Sequence, residues 1–155
     1  MPVTKSRPSV ASRRFGYILA AAITVGMWFV INEWPGWQDL SFLTDKTRAV
    51  LGLVNFSLAV SVLVNLIYLV YDPVWFKSVG DVITTSVGLA VLVRLWQVFP
   101  FDFSDYAVDW TVLARVVLVV GIVGSCLGVI VQVVTLLRLA VGGGVSTGSR
   151  SGATR

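Results

Sequence analysis

An all-α integral membrane fold is what this sequence predicts: a four-helix transmembrane bundle with both termini in the cytoplasm (N-in/C-in). Three observations point to it. Four apolar runs, separated by turns rich in aromatic residues, proline and charge, divide a chain of 155 residues. The composition is 56% hydrophobic and 13% charged, with a mean hydropathy of +0.85, whereas a soluble domain carries about 25% charged residues. A water-soluble fold of this size has too little interior to hide so much apolar surface. The third observation is the placement of the basic residues, which cluster beside the apolar runs on one side.

Residues 1–14 are polar, basic and contain proline and serine, which predicts a disordered cytoplasmic tail. Ser12-Arg13-Arg14-Phe15 reads as a basic anchor at a helix start rather than an export signal, because the apolar segment after it exceeds a usual signal h-region. The transmembrane domain is expected over residues 15–140. Its first span, 15–33, supplies the roughly 20 residues that a bilayer crossing requires. Gly16, Ala20, Ala22 and Gly26 form two small-xxx-small pairs along it.

A loop over residues 34–49 follows, with Trp34, Trp37 and Phe42 suited to the interfacial aromatic belt and room for a short interfacial helix near 37–43. The second span is 50–71, where Ser57, Ser61 and Asn65 recur every four residues and so share one helical face. Asp72-Pro73 ends it, since the residue before proline is pushed out of helical geometry. The third span, 77–99, carries Gly80, Thr84 and Gly88 at the same spacing, then Arg94 and Gln97 before the helix-stopping Pro100. The fourth, 110–139, is the longest, with Arg115 near its start. The tail over 141–155 is Gly/Ser-rich, which predicts flexibility.

Orientation follows from the positive-inside rule. With the N-terminus inside, Lys5, Arg7, Arg13, Arg14, Lys77, Arg138, Arg150 and Arg155 all fall on the cytoplasmic side. The outer loops keep Lys46 and Arg48, and the outer hairpin carries Asp102, Asp105 and Asp109. Basic residues beside membrane segments act as orientation signals, and no basic face with interleaved aromatics lies outside the apolar runs, so no nucleic-acid partner is expected.

Several function classes drop out early. There is no histidine and a single cysteine, Cys126, which removes most zinc, haem and redox sites; no cofactor or metal is expected. A nucleophile needs a base within hydrogen-bond reach, and the chain has no carboxylate in the middle of a span, so catalysis has little to work with. Asp105 or Asp109 suits an N-cap before the fourth helix.

Two constellations remain. Arg94 and Arg115 each lie about five residues inside a helix on the same outer side, where long side chains can snorkel outward. With Asp102, Asp105 and Asp109 they make either an ion-paired rim tying two helices together or an outer-side anion or lipid-headgroup site. The second constellation is the fourth helix's small-residue face of Gly121, Gly124, Ser125 and Gly128, which admits another backbone closely. It serves contacts within the chain or docking on another copy or another membrane protein. Ser57, Ser61 and Asn65, with Gln132 and Thr135, are interhelical hydrogen-bonding groups or the lining of a polar path.

The turn Phe99-Pro100-Phe101-Asp102-Phe103-Ser104, followed by Trp110 and a Val-rich, Gly-spaced last helix, resembles small four-span integral membrane proteins of high-G+C bacteria. The resemblance covers mainly the second half, implies a multi-pass protein of the cell (cytoplasmic) membrane, and implies no chemistry. Small multidrug transporters carry a glutamate within the first helix, and quinone-coupled disulfide-forming enzymes carry a CxxC; this chain has neither. The expected function is non-enzymatic: an accessory or assembly component acting through helix–helix contacts, with membrane lipid, other membrane proteins or itself as partners. A small transporter or anion/lipid-binding protein using Arg94 and Arg115 is the alternative.

Overall fold

Ser9 opens the first helix: its hydroxyl accepts from the Ser12 N–H at 3.2 Å, satisfying one of the orphan donors at a helix start. The computed structural model describes residues 9–104, 106 and 110–143; of the tails expected over 1–14 and 141–155, residues 1–8 and 144–155 lie outside them, while 10–14 and 141–143 are helical. Four helices follow, α1 (Val10–Asn32), α2 (Arg48–Val70), α3 (Val74–Val98) and α4 (Thr111–Gly143). Each is long and apolar enough to cross a bilayer, and the chain is an all-α, multi-pass membrane protein. At about 1.5 Å of rise per residue, the 23 residues of α1 cover the hydrocarbon core with a turn to spare.

That extra turn corrects the expected start. The apolar run begins at Phe15, but the serine cap sets the helix start at Val10, so Arg13 and Arg14 are helical. The α1–α2 connection forms one 3-10 turn at Trp37–Asp39 and another at Asp45–Thr47 in place of a longer interfacial helix. Gly36, at φ 82°, turns the chain into the first of these with a backbone that L side chains avoid. At Pro100 the helix stops as expected. Phe99 takes a left-handed conformation at φ 42°, which directs the buried Pro100 back toward the α1–α2 loop.

The helices lie in chain order and alternate in direction. Near one end, Asn32 at the close of α1 and Asn55 early in α2 exchange amide hydrogen bonds of 2.7 and 2.8 Å. At the same end the Thr44 N–H donates to the Pro100 carbonyl and the Asp102 N–H to the Phe42 carbonyl, both at 2.9 Å. Leu43 pairs with Phe101 as a short antiparallel bridge. Phe42, Phe101 and Phe103 stack beside it with ring planes within 12°, so the two hairpins are clasped at this end. Both described chain ends lie at the other.

The substantial packing runs α1 on α2, α2 on α3 and α3 on α4; among the described residues α1 and α4 share no comparable interface. The row is therefore open, with α1 and α4 as its edges. Few of the described residues are buried: Ala21, Trp37, Val50, Tyr68 and Leu118 make up the buried apolar core. In α4 the shielded positions are 111, 114, 118, 121, 122, 125, 128, 129, 132 and 136. Positions three and four apart share one helical face, so this stripe seats α4 along one neighbour, α3.

Candidate functional site

The densest polar cluster in the described chain sits where α1 begins, α2 ends and α3 begins. On α1, Arg13, Tyr17 and Ala20 fall on one inward face, as spacings of three and four require. On α3, Lys77 and Asp81 stand one turn apart. Between them, Asp72 occupies the turn that Pro73 forces, and Tyr68 projects from the last turns of α2.

Two carboxylates organise the cluster, each with a cation and a phenol. The Arg13 Nε–H donates to Asp72 Oδ2 at 2.7 Å, and the Tyr17 hydroxyl donates to Asp72 Oδ1 at 3.0 Å. The Lys77 ammonium meets Asp81 Oδ2 at 2.5 Å. The Tyr68 hydroxyl donates to the Lys77 carbonyl at 2.6 Å and lies 3.1 Å from Asp81 Oδ1. The tyrosine rings touch, with centroids 5.4 Å apart, and the Lys77 ammonium lies over the Tyr68 ring at 5.4 Å. Tyr68 enters α3 at a notch: a Cβ at Gly80 would stand 2.1 Å from its hydroxyl oxygen. Glycine alone admits the phenol here.

The two ion pairs differ in weight. Arg13 and Asp72 keep 19% and 15% of their side-chain surface exposed, against 38% and 32% for Lys77 and Asp81. A well-exposed pair contributes about 0–1 kcal/mol, whereas removing one partner of a fully buried pair costs about 3–5 kcal/mol. The Arg13–Asp72 pair lies nearer the second case and is the main fastening between α1 and the α2–α3 turn. Beside it opens a crevice of about 520 Å³ lined by Ser12, Arg13, Gly16, Tyr17, Asn65 and Lys77. Its walls are chiefly apolar. In this arrangement each carboxylate faces one cation and one phenol, so the cluster fastens the ends of α1, α2 and α3 to one another.

The sequence-predicted residues fall differently. Arg94 is exposed. The Arg115 guanidinium lies over the rings of Phe99 at 4.6 Å and Trp96 at 5.6 Å, so it ties α4 to the end of α3 through aromatic faces. Among the described residues neither arginine pairs with Asp102. That carboxylate accepts from the Ser104 N–H at 3.0 Å, and this bond, then the Ser104 hydroxyl, holds its carboxyl below the usual range. Asp105 and Asp109, and the N-cap expected of them, lie outside the described residues.

The small-residue face of α4 divides. Gly121 meets Leu92 of α3, where an added Cβ would stand 3.2 Å from Cδ1, and Gly128 meets Thr85 at 3.7 Å. Ser125 is half-buried between them. Gly124 opens onto empty space. Gln132 donates to the Thr85 hydroxyl at 3.2 Å, while Asn65 donates to the Ser61 carbonyl of its own helix at 2.8 Å. The polar groups of α2 and α4 thus serve separate interfaces and do not face each other across one path.

Sequence reasoning missed the Arg13–Tyr17–Tyr68–Asp72–Lys77–Asp81 cluster. Its legible signal was Lys77 and Asp81 four residues apart on a helix. The contacts across 55 and 59 residues that complete it leave no periodic trace. No protein-family model, curated protein or solved structure matches this chain.

Proposed function

We propose that this protein is a non-enzymatic, multi-pass component of the cell membrane, with both termini cytoplasmic, that works by assembling with other transmembrane helices. The observation that carries this reading is the open row. Among the described residues its edge helices α1 and α4 each pack substantially on one other helix, and Ala21 is the residue that α1 buries. Lipid supplies little hydrophobic drive between helices, so surfaces meant for further helices must offer close approach, and Gly124 does so at the α4 edge. Composition supports the non-enzymatic part: no histidine, one cysteine. Orientation rests on the basic residues gathered at the ends of the chain.

Extraction from native membranes in mild detergent, with particle mass measured by light scattering, tests the proposal. The expected protein mass exceeds the 16.8 kDa of one chain, and Gly124→Leu returns it to that value without changing helix content. A wild-type particle of one chain that carries solute across liposomes would overturn it. The alternative, an outer-side anion or headgroup site on Arg94 and Arg115, is supported by the exposure of Arg94 and by the aromatic faces that hold the Arg115 guanidinium. It requires that Arg94→Gln and Arg115→Gln abolish binding while leaving detergent stability intact.

A further inference from the structure

We infer that the row of helices curls into a trough that receives α4 of a second copy, so that two chains hook together with each α4 seated in the other's trough. This arrangement rests on the assembly reading above and gives it a partner and a surface. The two middle helices set the curl. On α2, Asn55 meets Asn32 of α1 and Tyr68 meets Gly80 of α3. With about 100° of turn per residue, those two positions stand about 140° apart. On α3, Gly80 faces α2 and Thr85 faces Gly128 of α4, again about 140° apart. Both short arcs run in the same sense along their own helix, and α2 and α3 run in opposite directions, so the two bends close toward one side.

Asn65 of α2 and Lys77 of α3 fall inside those arcs, and they line one crevice with Gly16 and Ala20 of α1. The crevice is the end of the trough beside the start of α1. At spacings of about 8–10 Å between neighbouring helices, bends of this size leave α1 and α4 roughly 20–25 Å apart. Among the described residues those two helices share no comparable interface. The gap admits one further helix and not two.

The trough selects an apolar, narrow helix. Arg13 and Lys77 are already paired with Asp72 and Asp81, and the crevice walls are chiefly apolar. Gly16, Ala20 and the half-buried Ser61 present small side chains to it, as close helix approach in lipid requires. α4 meets both conditions: it carries no charged group from Val116 to Leu137 and no aromatic ring from Thr111 to Gly143. The other edge helix, α1, exposes Phe15, Trp28 and Phe29 and is the wider of the two. A two-fold axis along the bilayer normal makes the exchange reciprocal, the commonest symmetry of homo-oligomers, and holds equivalent residues at equal depth.

The test is copper-phenanthroline cross-linking of the full chain in native membranes, with the natural Cys126, exposed on α4, as one partner. Counted along the contacts Asn32–Asn55, Tyr68–Gly80 and Thr85–Gly128, Met27 lies at the depth of Cys126. It shares the trough face of α1 with Ala20, seven positions earlier, and is exposed. Met27→Cys should give a dimer band that reductant removes and that Cys126→Ala abolishes. Val25→Cys, at similar depth but lining a groove on the other side of α1 with Ala59 and Leu63, should stay monomeric. In mild detergent, light scattering should read two chains of 16.8 kDa. Ala20→Leu, which narrows the trough, should weaken that dimer at least tenfold, and Ala59→Leu should leave it intact. A wild-type particle of one chain would end the assembly reading and the hooked dimer together. A larger particle in which Met27→Cys fails to bridge two copies, Val25→Cys bridges them equally, or Ala20→Leu dimerises as wild type would keep the assembly and overturn the trough.

Discussion

Tyr68 and Gly80 show how much a single atom decides in this chain. The phenol reaches its acceptors because no Cβ stands in the way, so Gly80→Ala must move the ring or the helix, and overpacking of this kind costs about 1–3 kcal/mol. Gly88 meets nothing within 4 Å; Gly88→Ala should be neutral or stabilising by up to about 1 kcal/mol, the gain of alanine over glycine inside a helix. Denaturation of both variants in mixed micelles checks the pair, and equal melting would remove the notch from the account. The same ranking applies to the carboxylates: Asp72→Asn should destabilise more than Asp81→Asn, because the Arg13 left behind is the less exposed cation. If the order is reversed, Asp72 is not the main fastening. None of this was legible in the sequence. Asp72 reads as a turn residue, which it is, and Arg13 as an orientation signal, and hydropathy has no means of pairing them. For Arg115 the sequence supplied a depth and a side; Phe99, turned by its left-handed backbone, supplied the ring.

Between helices, one polar pair marks each outer seam: Asn32 with Asn55 for α1 and α2, Gln132 with Thr85 for α3 and α4. The asparagines are reciprocal, donor and acceptor on both sides, which fixes axial register as well as contact. Interhelical hydrogen bonds in lipid average about 0.6 kcal/mol and reach about 1.7. Asn55→Leu should therefore destabilise by an amount in that range, and adding Asn32→Leu should cost less than it does alone. Additive losses would show that the two amides act independently. Element existence was legible because four apolar runs punctuated by Pro73 and Pro100 leave few alternatives. Element starts were less so. Apolarity begins at Phe15, whereas the helix begins where the Ser9 hydroxyl can accept from the Ser12 N–H, a capping signal that a hydropathy reading passes over.

At the scale of the whole molecule, neighbour relations are what the sequence conceals. A helix face turned to lipid and one turned to another helix are both apolar, and small residues occur on all four helices, so periodicity cannot say which helix touches which. The fourth helix illustrates it: its glycines suggested one packing face, yet Gly121 and Gly128 seat α3 while Gly124 looks away. The clasp of Phe42, Leu43 and Thr44 on Pro100, Phe101 and Asp102 joins the two hairpins at one end, and the Arg13 and Tyr17 bonds to Asp72 hold α1 near the other. Between them the row stays open. Disulfide trapping in a Cys126→Ala background separates an open row from a closed ring. Leu92→Cys with Gly121→Cys, which face each other across α3 and α4, should cross-link within one chain. Gly16→Cys with Leu137→Cys, on the two edge helices at matching depth, should not cross-link within a chain and should form at most a bond between chains. An efficient intramolecular bond at that second pair would mean that α1 and α4 close on each other, and the edge surfaces on which assembly is proposed to rest would not exist.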